Sequence, residues 1–338
     1  MKTETANFNK ESQAREYLDL VQKYYQEQTG FDYSFGDIQR GLEYSLKNSH
    51  QQVHFITVRN NERLIAHIAL ILDDRLPVGE AFFGFMEFPE DMAVFRKLWD
   101  ELLKIAETSR IQKISGPVNG SIWHSYRVIK SDNSQPRFVS EPLCQSWYYS
   151  FLKEQYPDEE IAYHSGIRQN LENIISLTKP SYEALVDREN LRIERLESPD
   201  PPTIKELYHL SRLIFQENWG YVDLSENEFY ALYNSGKVSS YIGSIYLVHA
   251  KDELVGFCST LREKNSLILK TMGILSDWQG RGLGNALVHK IHWDAQQKGI
   301  SSMIYALIRD TNQIRNFPRD DARVIREYAC LSYKIHQT

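Results

Sequence analysis

A glycine-rich run late in the chain, Gln279-Gly280-Arg281-Gly282-Leu283-Gly284, has the residue types that bind an anion. It follows an apolar segment, residues 271–275, and leads into a helical pattern that continues from Asn285. Glycines let the main chain turn tightly and approach a ligand without obstruction by a Cβ atom. A helix that begins there directs unpaired N–H groups and the positive end of its dipole at the same place. The run therefore predicts a cradle for a pyrophosphate.

Two better-known glycine loops do not fit this run. A Walker loop ends in Gly-Lys-Ser/Thr so that it reaches the phosphates and magnesium, but here Gly284 is followed by Asn285-Ala286. A dinucleotide fingerprint spaces its glycines as Gly-x-Gly-x-x-Gly and opens an early βαβ unit. The glycines of this chain are spaced differently and come late, so nucleotide hydrolysis and dinucleotide binding are both disfavoured.

The elements around the loop are predicted from hydrophobic periodicity. Residues 254–261 and 266–274 form a β-hairpin pattern, the apolar positions after the loop share one helical face as far as Gly299, and residues 301–308 indicate another strand. Upstream, residues 191–196 indicate a strand. Thr203 and Ser225 each open a capping box with a glutamate three residues later, which predicts two helices. The proline-rich residues 198–202 are interpreted as the loop between that strand and the first helix.

The pattern Gln/Arg-x-x-Gly-x-Gly/Ala between a strand and a helix resembles the acetyl-coenzyme A loop of the Gcn5-related N-acetyltransferase (GNAT) superfamily. Gln279, Gly282 and Gly284 match it residue for residue, and the order of the surrounding elements is similar. The resemblance covers roughly residues 190–338. It implies that acetyl-CoA or another acyl-CoA is the cosubstrate and that the acyl group passes directly to a nucleophile, usually an amine.

The resemblance also implies which residues bind the coenzyme. Main-chain N–H groups of the loop would bind the pyrophosphate, the end of the preceding strand would pair with the pantetheine arm, and an asparagine after the following strand would hold the pantetheine amide. Gln279 would stabilise the loop, while Arg281 and Arg315 would add positive charge. The residues assigned to coenzyme binding are Met272, Gly273, Ile274, Gln279, Gly280, Arg281, Gly282, Leu283, Gly284, Asn285 and Asn312.

The catalytic groups are less clearly marked. Many members of the family carry an acid tyrosine shortly after the asparagine, followed by Gly-Phe, but this chain has Phe317-Pro318 there and no Gly-Phe at all. Tyr328 is the nearest substitute for the acid. Glu217 and Glu263 are the candidates for the base that deprotonates the amine.

The first half of the chain repeats the element order of the second: a helix, paired strands, a strand and a helix. At the place of the coenzyme loop it has Glu87-Phe88-Pro89-Glu90-Asp91, whose acidic residues would repel a pyrophosphate. It is interpreted as a degenerate GNAT-like domain, and it also looks similar to bacterial two-domain acetyltransferase-like proteins. The fold class predicted is α/β (α+β), with a domain in residues 1–178 and another in 190–338, each a mixed, mostly antiparallel sheet flanked by helices.

Composition limits the partners. The net charge is −6, which argues against nucleic acid, and no segment has the apolar length of a signal peptide or membrane helix, so we expect a cytoplasmic protein. The three cysteines form no Cys-x-x-Cys motif, and no metal site is expected. His289 and His292, at helical spacing, are interpreted as part of a solvated helix face.

The function predicted is therefore an N-acyltransferase (acetyltransferase) acting on a small-molecule or amino-acid amine, as a monomer or homodimer. The alternative is a catalytically inactive acyl-CoA-binding sensor or scaffold, because the acid and base are not evident. A paired-GNAT transferase with another donor, such as aminoacyl-tRNA or an acyl carrier protein, is a third hypothesis. The tRNA version is disfavoured, since the chain lacks a basic surface.

Overall fold

The computed structural model describes residues 2–7, 11–28, 31–61, 63–132, 135–233, 242–311 and 321–335. The chain divides into two compact units. The first comprises residues 1–162 with two later segments, 219–222 and 327–338; the second comprises residues 163–218 and 223–326. The sequence-based domain limits of 1–178 and 190–338 remain a prediction, and the structure groups residues 163–189 with the second unit.

The first unit is built on a sheet that is antiparallel except at one pair of strands. Its strands follow the order β1-β2-β3-β4-β5-β15, and only β4 and β5 run parallel, because α3 connects them as a crossover. The elements of this unit are β1 (Lys2–Asn7), α1 (Glu11–Tyr25), α2 (Phe31–Lys47), β2 (Gln51–Asn60), β3 (Arg63–Asp73), β4 (Glu80–Glu87), α3 (Met92–Thr108), β5 (Lys113–Gly116), β6 (Val118–Asn119), β7 (Ser125–Tyr126), β8 (Val128–Asp132) and α4 (Tyr148–Lys153).

The second unit repeats this arrangement. Its strands follow the order β9-β14-β13-β12-β11-β10, and only β13 and β14 run parallel, on either side of the crossover helix α8. Strands β9 and β15 each begin in one unit and end in the other. The elements are β9 (Glu159–Arg168), α5 (Glu172–Arg188), β10 (Arg192–Leu196), α6 (Pro201–Phe215), α7 (Glu226–Tyr233), β11 (Ile242–Ala250), β12 (Glu253–Glu263), β13 (Ser266–Ile274), α8 (Leu283–Gln297), β14 (Ser302–Arg309) and β15 (Ala322–Lys334).

This architecture confirms the predicted fold class: each unit is a mostly antiparallel sheet with flanking helices. Helix α2 lay outside the sequence-based prediction. None of the helices within the described ranges combines the length and the hydropathy that crossing a bilayer requires.

The start of α6 corrects one helix prediction. The cap is Asp200, whose carboxylate accepts from the N–H of Thr203 at 2.9 Å, and the two prolines that follow form the first turn of the helix. Proline fits there because its missing N–H would have no intrahelical acceptor in any case. Thr203 is therefore inside α6 and not its cap. The second predicted capping box is present, with Ser225 and Glu228 each accepting from the other's main-chain N–H.

Helix α8 packs on the core of the second unit along its whole apolar face. Leu283, Ala286, Leu287, Ile291 and Ala295 are buried in one cluster with side chains of α5 and of the sheet. Because the first of these residues belongs to the glycine run, packing of α8 also positions that loop.

Candidate coenzyme site

The glycine loop begins where β13 ends, and hydrogen bonds between residues close together in the chain hold it in place. A single 3₁₀ turn, Ser276–Trp278, follows the strand, and the N–H of Trp278 donates to the carbonyl of Leu275 at 2.9 Å. The side-chain amide of Gln279 reaches back to donate to the carbonyl of Ile274 at 3.0 Å. This bond ties the loop to the end of the strand, the task that the resemblance implies for Gln279.

The backbone conformation of the loop favours glycine at two of its three glycine positions. Gly280 has φ +73° and Gly282 has φ +94°, in the left-handed region that side chains with a Cβ adopt at a cost. Gly284 is different, since it lies in the first turn of α8. A Cβ at Gly280 or Gly284 would meet no protein atom within 4 Å. The concave side of the loop is therefore open at both positions.

The N-terminus of α8 has no side-chain cap, and Gly282 is its N-cap residue. The first intrahelical bond runs from the N–H of Ala286 to the carbonyl of Gly282 at 3.0 Å. The N–H groups of Leu283, Gly284 and Asn285 precede it and have no acceptor within the helix. Together with the helix dipole they form an anion-binding end whose cradle the protein does not fill.

Beside this loop, β13 and β14 diverge. Their parallel register ends at Leu269 opposite Tyr305. Residues 271–274 pair with β12 on one side, and within the described residues no strand pairs with their other edge. An extended ligand can add to such an edge through main-chain hydrogen bonds. Met272, Gly273 and Ile274, which are assigned to pantetheine, lie in this stretch.

Basic side chains surround the loop. The guanidinium of Arg281 lies 4.8 Å from the centre of the Trp278 ring, and the ammonium of Lys251 lies 5.9 Å from it. Arg188 donates to the carbonyl of Arg281 at 3.4 Å. A hydrogen bond from Lys251 holds the pKa of Glu189 below its ordinary value. Of these three cations, sequence reasoning identified Arg281 alone, because Arg188 and Lys251 come from distant segments that only the fold brings together.

A chain of buried polar groups fixes α8 to β14. His292 donates from Nδ1 to the carbonyl of Val288 at 2.7 Å, so its Nε2 must accept from the hydroxyl of Tyr305, also at 2.7 Å. The Tyr305 oxygen in turn accepts from Nε of Arg168 at 3.0 Å. Burial lowers the pKa of His292 to about 4, which keeps the ring neutral, as this arrangement requires.

These contacts correct the interpretation of the two histidines. His292 is fully buried, and His289 is buried under α5, where its Nδ1 donates to the carbonyl of Ile175 at 3.0 Å. The predicted solvated face was wrong because α5, more than a hundred residues earlier in the chain, covers His289, and because His292 packs against Tyr305 of β14. Within the described ranges, no cluster of three or more His, Cys, Asp or Glu side chains is arranged to hold a metal ion.

The predicted catalytic residues are placed as follows. Tyr328 is fully buried in the first unit, and its hydroxyl donates to Oε1 of Glu141. Glu217 is exposed in the segment after α6, and Glu263 ends β12 opposite the first residue of β13. Asn312 and Arg315 lie outside the described residues. The assignment of Tyr328 as the acid remains a prediction.

The equivalent place in the first unit is filled by the protein itself. Asp91 caps α3, and its carboxylate accepts from the N–H groups of Ala93 and Val94 at 2.9 and 3.3 Å. The split between β4 and β5 is filled by β6, since Oδ1 of Asn119 accepts from the N–H of Phe85 at 2.6 Å. A Cβ at Gly84 would stand 1.8 Å from the carbonyl oxygen of Val118. Neither the anion-binding helix end nor the free strand edge is therefore available in this unit.

Comparison with known proteins agrees with this arrangement. Residues 242–318 match the family model described as "Acetyltransferase (GNAT) domain". No curated protein matches the chain significantly.

Several solved structures share the fold over almost the whole chain. A tandem GNAT protein from the clavulanic acid biosynthesis pathway matches with a TM-score of 0.60 and 12% identity, covering 100% of both chains. A probable N-acyltransferase from Enterococcus faecalis V583 matches with a TM-score of 0.60 and 12% identity, covering 100% of this chain and 74% of the other. A GCN5-related N-acetyltransferase from Sphaerobacter thermophilus matches with a TM-score of 0.53 and 12% identity, covering 99% and 96%. At such identities the likeness is one of fold.

Proposed function

Residues 242–318 match a GNAT acetyltransferase domain, and the fold is that of tandem GNAT proteins. From these premises we propose that the protein is an N-acyltransferase. Its donor is acetyl-CoA or another acyl-CoA, and its acceptor is a small-molecule or amino-acid amine. The observation that carries the proposal is the uncapped, open glycine loop at the start of α8, beside the free edge of β13.

The residues present fit a coenzyme at this site. The main-chain N–H groups from Arg281 to Asn285 bind the two phosphates, and the backbone from Met272 to Ile274 pairs with the pantetheine arm. Arg281 contributes positive charge near the phosphates, and Gln279 keeps the loop attached to β13. The coenzyme, when bound, supplies the acyl group as a thioester. An N–H at the free edge of β13 polarises the carbonyl of that thioester.

The alternative, an acyl-CoA-binding sensor or scaffold, is favoured by one observation. The only assigned acid, Tyr328, is fully buried and its hydroxyl is bonded to Glu141. A group with its hydrogen-bonding capacity used inside the core is a poor proton donor to a leaving thiolate. A sensor would bind the coenzyme with the same loop and transfer no acyl group.

Calorimetric titration with acetyl-CoA tests the site. Gly282→Glu places a side chain on a left-handed residue and a negative charge at the N-cap position of α8. Gly299→Glu is the matched control, because Gly299 also has positive φ (+71°) and lies just beyond the other end of α8. We expect saturable binding by the wild type and by Gly299→Glu, and loss of binding in Gly282→Glu. Absence of wild-type binding would reduce the glycine run to a structural turn.

A thiol-release assay then separates the two functions. The wild type is incubated with acetyl-CoA and, one at a time, polyamines, amino acids and amino sugars. Release of CoA thiol above the rate without amine supports the transferase. Tight acetyl-CoA binding with no amine-dependent release from any member of the panel supports the sensor.

A further inference from the structure

The first unit contains a cavity at the end of β4 that the proposed acyltransferase chemistry does not use. The space in which the centre of a water molecule can lie is about 20 Å³, so the cavity is about as large as one or two non-hydrogen atoms. Glu87, the last residue of β4, lines it, together with Met86 and residues of the loops before and after β6 and β7. Tyr17, Tyr126 and Tyr148 supply aromatic walls, and Arg127 and Cys144 also border the cavity.

Glu87 presents one carboxyl oxygen without a protein partner. The residue is only 2% exposed. Its Oε2 accepts from the hydroxyls of Tyr148 at 2.6 Å and Tyr25 at 3.1 Å, whereas Oε1 bonds to no other group in the described part of the chain. Glu87 lines the cavity, and a ligand or water there can complete the hydrogen bonds of this oxygen.

The lining selects the chemistry of that ligand. The carboxyl of Glu87 repels anions once it is ionised, and a metal ion needs several oxygen, nitrogen or sulfur ligands, whereas no cluster of three His, Cys, Asp or Glu side chains that could hold one exists in the described ranges. A carboxylate combined with tyrosine rings is the setting that binds an organic ammonium group. The guanidinium of Arg127 lies 3.6 Å from the centre of the Tyr126 ring and occupies that ring, whereas Tyr17 and Tyr148 also line the cavity and the hydroxyl of Tyr148 contacts Glu87.

We propose that the first unit binds the primary ammonium group of a small amine in this cavity, with the Glu87 carboxylate as its counter-ion. The proposal is independent of coenzyme binding, because every residue that forms the cavity belongs to the first unit. It gives that unit, whose coenzyme site is filled by Asp91 and β6, a ligand of its own.

Protonation provides a signature of this binding. Burial raises the pKa of Glu87 to about 8, and the two tyrosine hydroxyls only partly oppose this effect. His67, opposite Glu87 on β3, is neutral, since burial lowers its pKa to about 3. The other charged and titratable groups packed around Glu87 are Arg127, Cys144 and the phenols of Tyr17, Tyr24, Tyr25 and Tyr148, and burial raises the pKa of each of these phenols. An entering ammonium ion therefore displaces the proton of the Glu87 carboxyl, which passes to the buffer.

The test uses methylammonium chloride as the probe, with the full-length wild-type protein. Calorimetry in two buffers of different ionisation enthalpy should show saturable binding near neutral pH with release of about one proton per site. The dissociation constant should fall about tenfold per unit as the pH rises towards 8 and then level off. Because these measurements need no variant, they decide the proposal even if substitutions at Glu87 disturb folding.

Three controls complete the experiment. Glu87→Gln can still accept from Tyr25 and Tyr148 but carries no charge, and we expect at least a tenfold loss of affinity and no proton release. Glu90→Gln, which removes an exposed carboxylate nearby, should bind as the wild type does. Tetramethylammonium, which has no N–H to donate to the carboxylate and is much bulkier than methylammonium, should not bind. Absence of saturable methylammonium binding, or binding that Glu87→Gln retains, would overturn the proposal.

Discussion

Substituting glutamate for Gly284 should stabilise the free protein and weaken coenzyme binding at the same time. Gly284 lies in the first turn of α8, and a Cβ there meets no protein atom within 4 Å. The new side chain therefore fits the free protein without displacing anything. Its carboxylate, however, stands at the helix end where the phosphates are expected.

The effect on folding follows from helix physics. Replacing glycine inside a helix gains roughly 0.5–1 kcal/mol of stability through a smaller loss of backbone entropy. A carboxylate in the first turn adds about 0.3–1 kcal/mol through the helix dipole. We expect the free energy of unfolding, measured by urea denaturation, to rise by about 1 kcal/mol in Gly284→Glu.

The effect on binding has the opposite sign. Two unit negative charges about 5 Å apart repel by roughly 1–3 kcal/mol at effective dielectric constants between 80 and 20. This corresponds to a loss of about 5- to 150-fold in the affinity for acetyl-CoA, measured by calorimetry. Raising the ionic strength to about 0.5 M should shrink the loss, because salt screens the repulsion.

Gly284→Gln is the matched control, since glutamine has the size of glutamate and no charge. The steric part of the change appears in both variants, and only the electrostatic part separates them. A Gly284→Glu variant that binds acetyl-CoA as tightly as Gly284→Gln at low salt would refute the placement of the phosphates. A fall in stability would refute the argument that Gly284 is kept for a ligand and not for the fold.

Three further predictions concern the polar and packing contacts of the two units. Tyr305→Phe removes the hydroxyl that accepts from Arg168 and donates to His292. The free energy of unfolding in urea should fall by about 2–4 kcal/mol, and a fall below about 1 kcal/mol would contradict the assigned hydrogen bonds. Burial raises the pKa of Glu87 from an ordinary value of 4.5 to about 8. Between these pH values the folded chain keeps a proton that the unfolded chain releases, so the stability of the wild type falls as the pH rises from about 5 to about 8. The stability of Glu87→Gln relative to the wild type should therefore increase from about pH 5 to about pH 8 and stay constant above it, and a difference independent of pH would count against the raised pKa. Gly84→Ala should destabilise the protein by at least about 2 kcal/mol in urea, because its methyl group collides with the carbonyl of Val118, and a neutral effect would mean that β6 does not fill the split.

Much of the second unit was predictable because its signals are local. The glycine spacing, the hairpin turn between β12 and β13, and the apolar face of α8 each depend on residues close together in the chain. The start of α6 was missed although its signal is also local. Asp200 followed by two prolines is a helix start, and the capping box at Thr203 competed with it.

Sequence analysis recognised that acidic residues precede α3 in the first unit, but it did not show which contacts each of them makes. Asp91 caps α3, whereas Glu87 is buried at the end of β4 against two tyrosines that come from α1 and α4. Sequence spacing contains no signal for such a cluster, since Tyr25 and Tyr148 are separated from Glu87 by about sixty residues on either side.

What the sequence by itself determined is the local backbone of the loop: glycine at positive φ, an open helix N-terminus, and a strand that leads into it. These features depend on steric limits and hydrogen bonds within a few residues. Only the tertiary structure decided that α5 covers His289, that His292 packs against Tyr305 of β14, that β6 fills the split of the first unit, and that Arg188 and Lys251 approach the loop. The reason is physical: burial and charge proximity are set by contacts between segments far apart in the chain, and the pattern of any one segment does not specify which other segment will cover it.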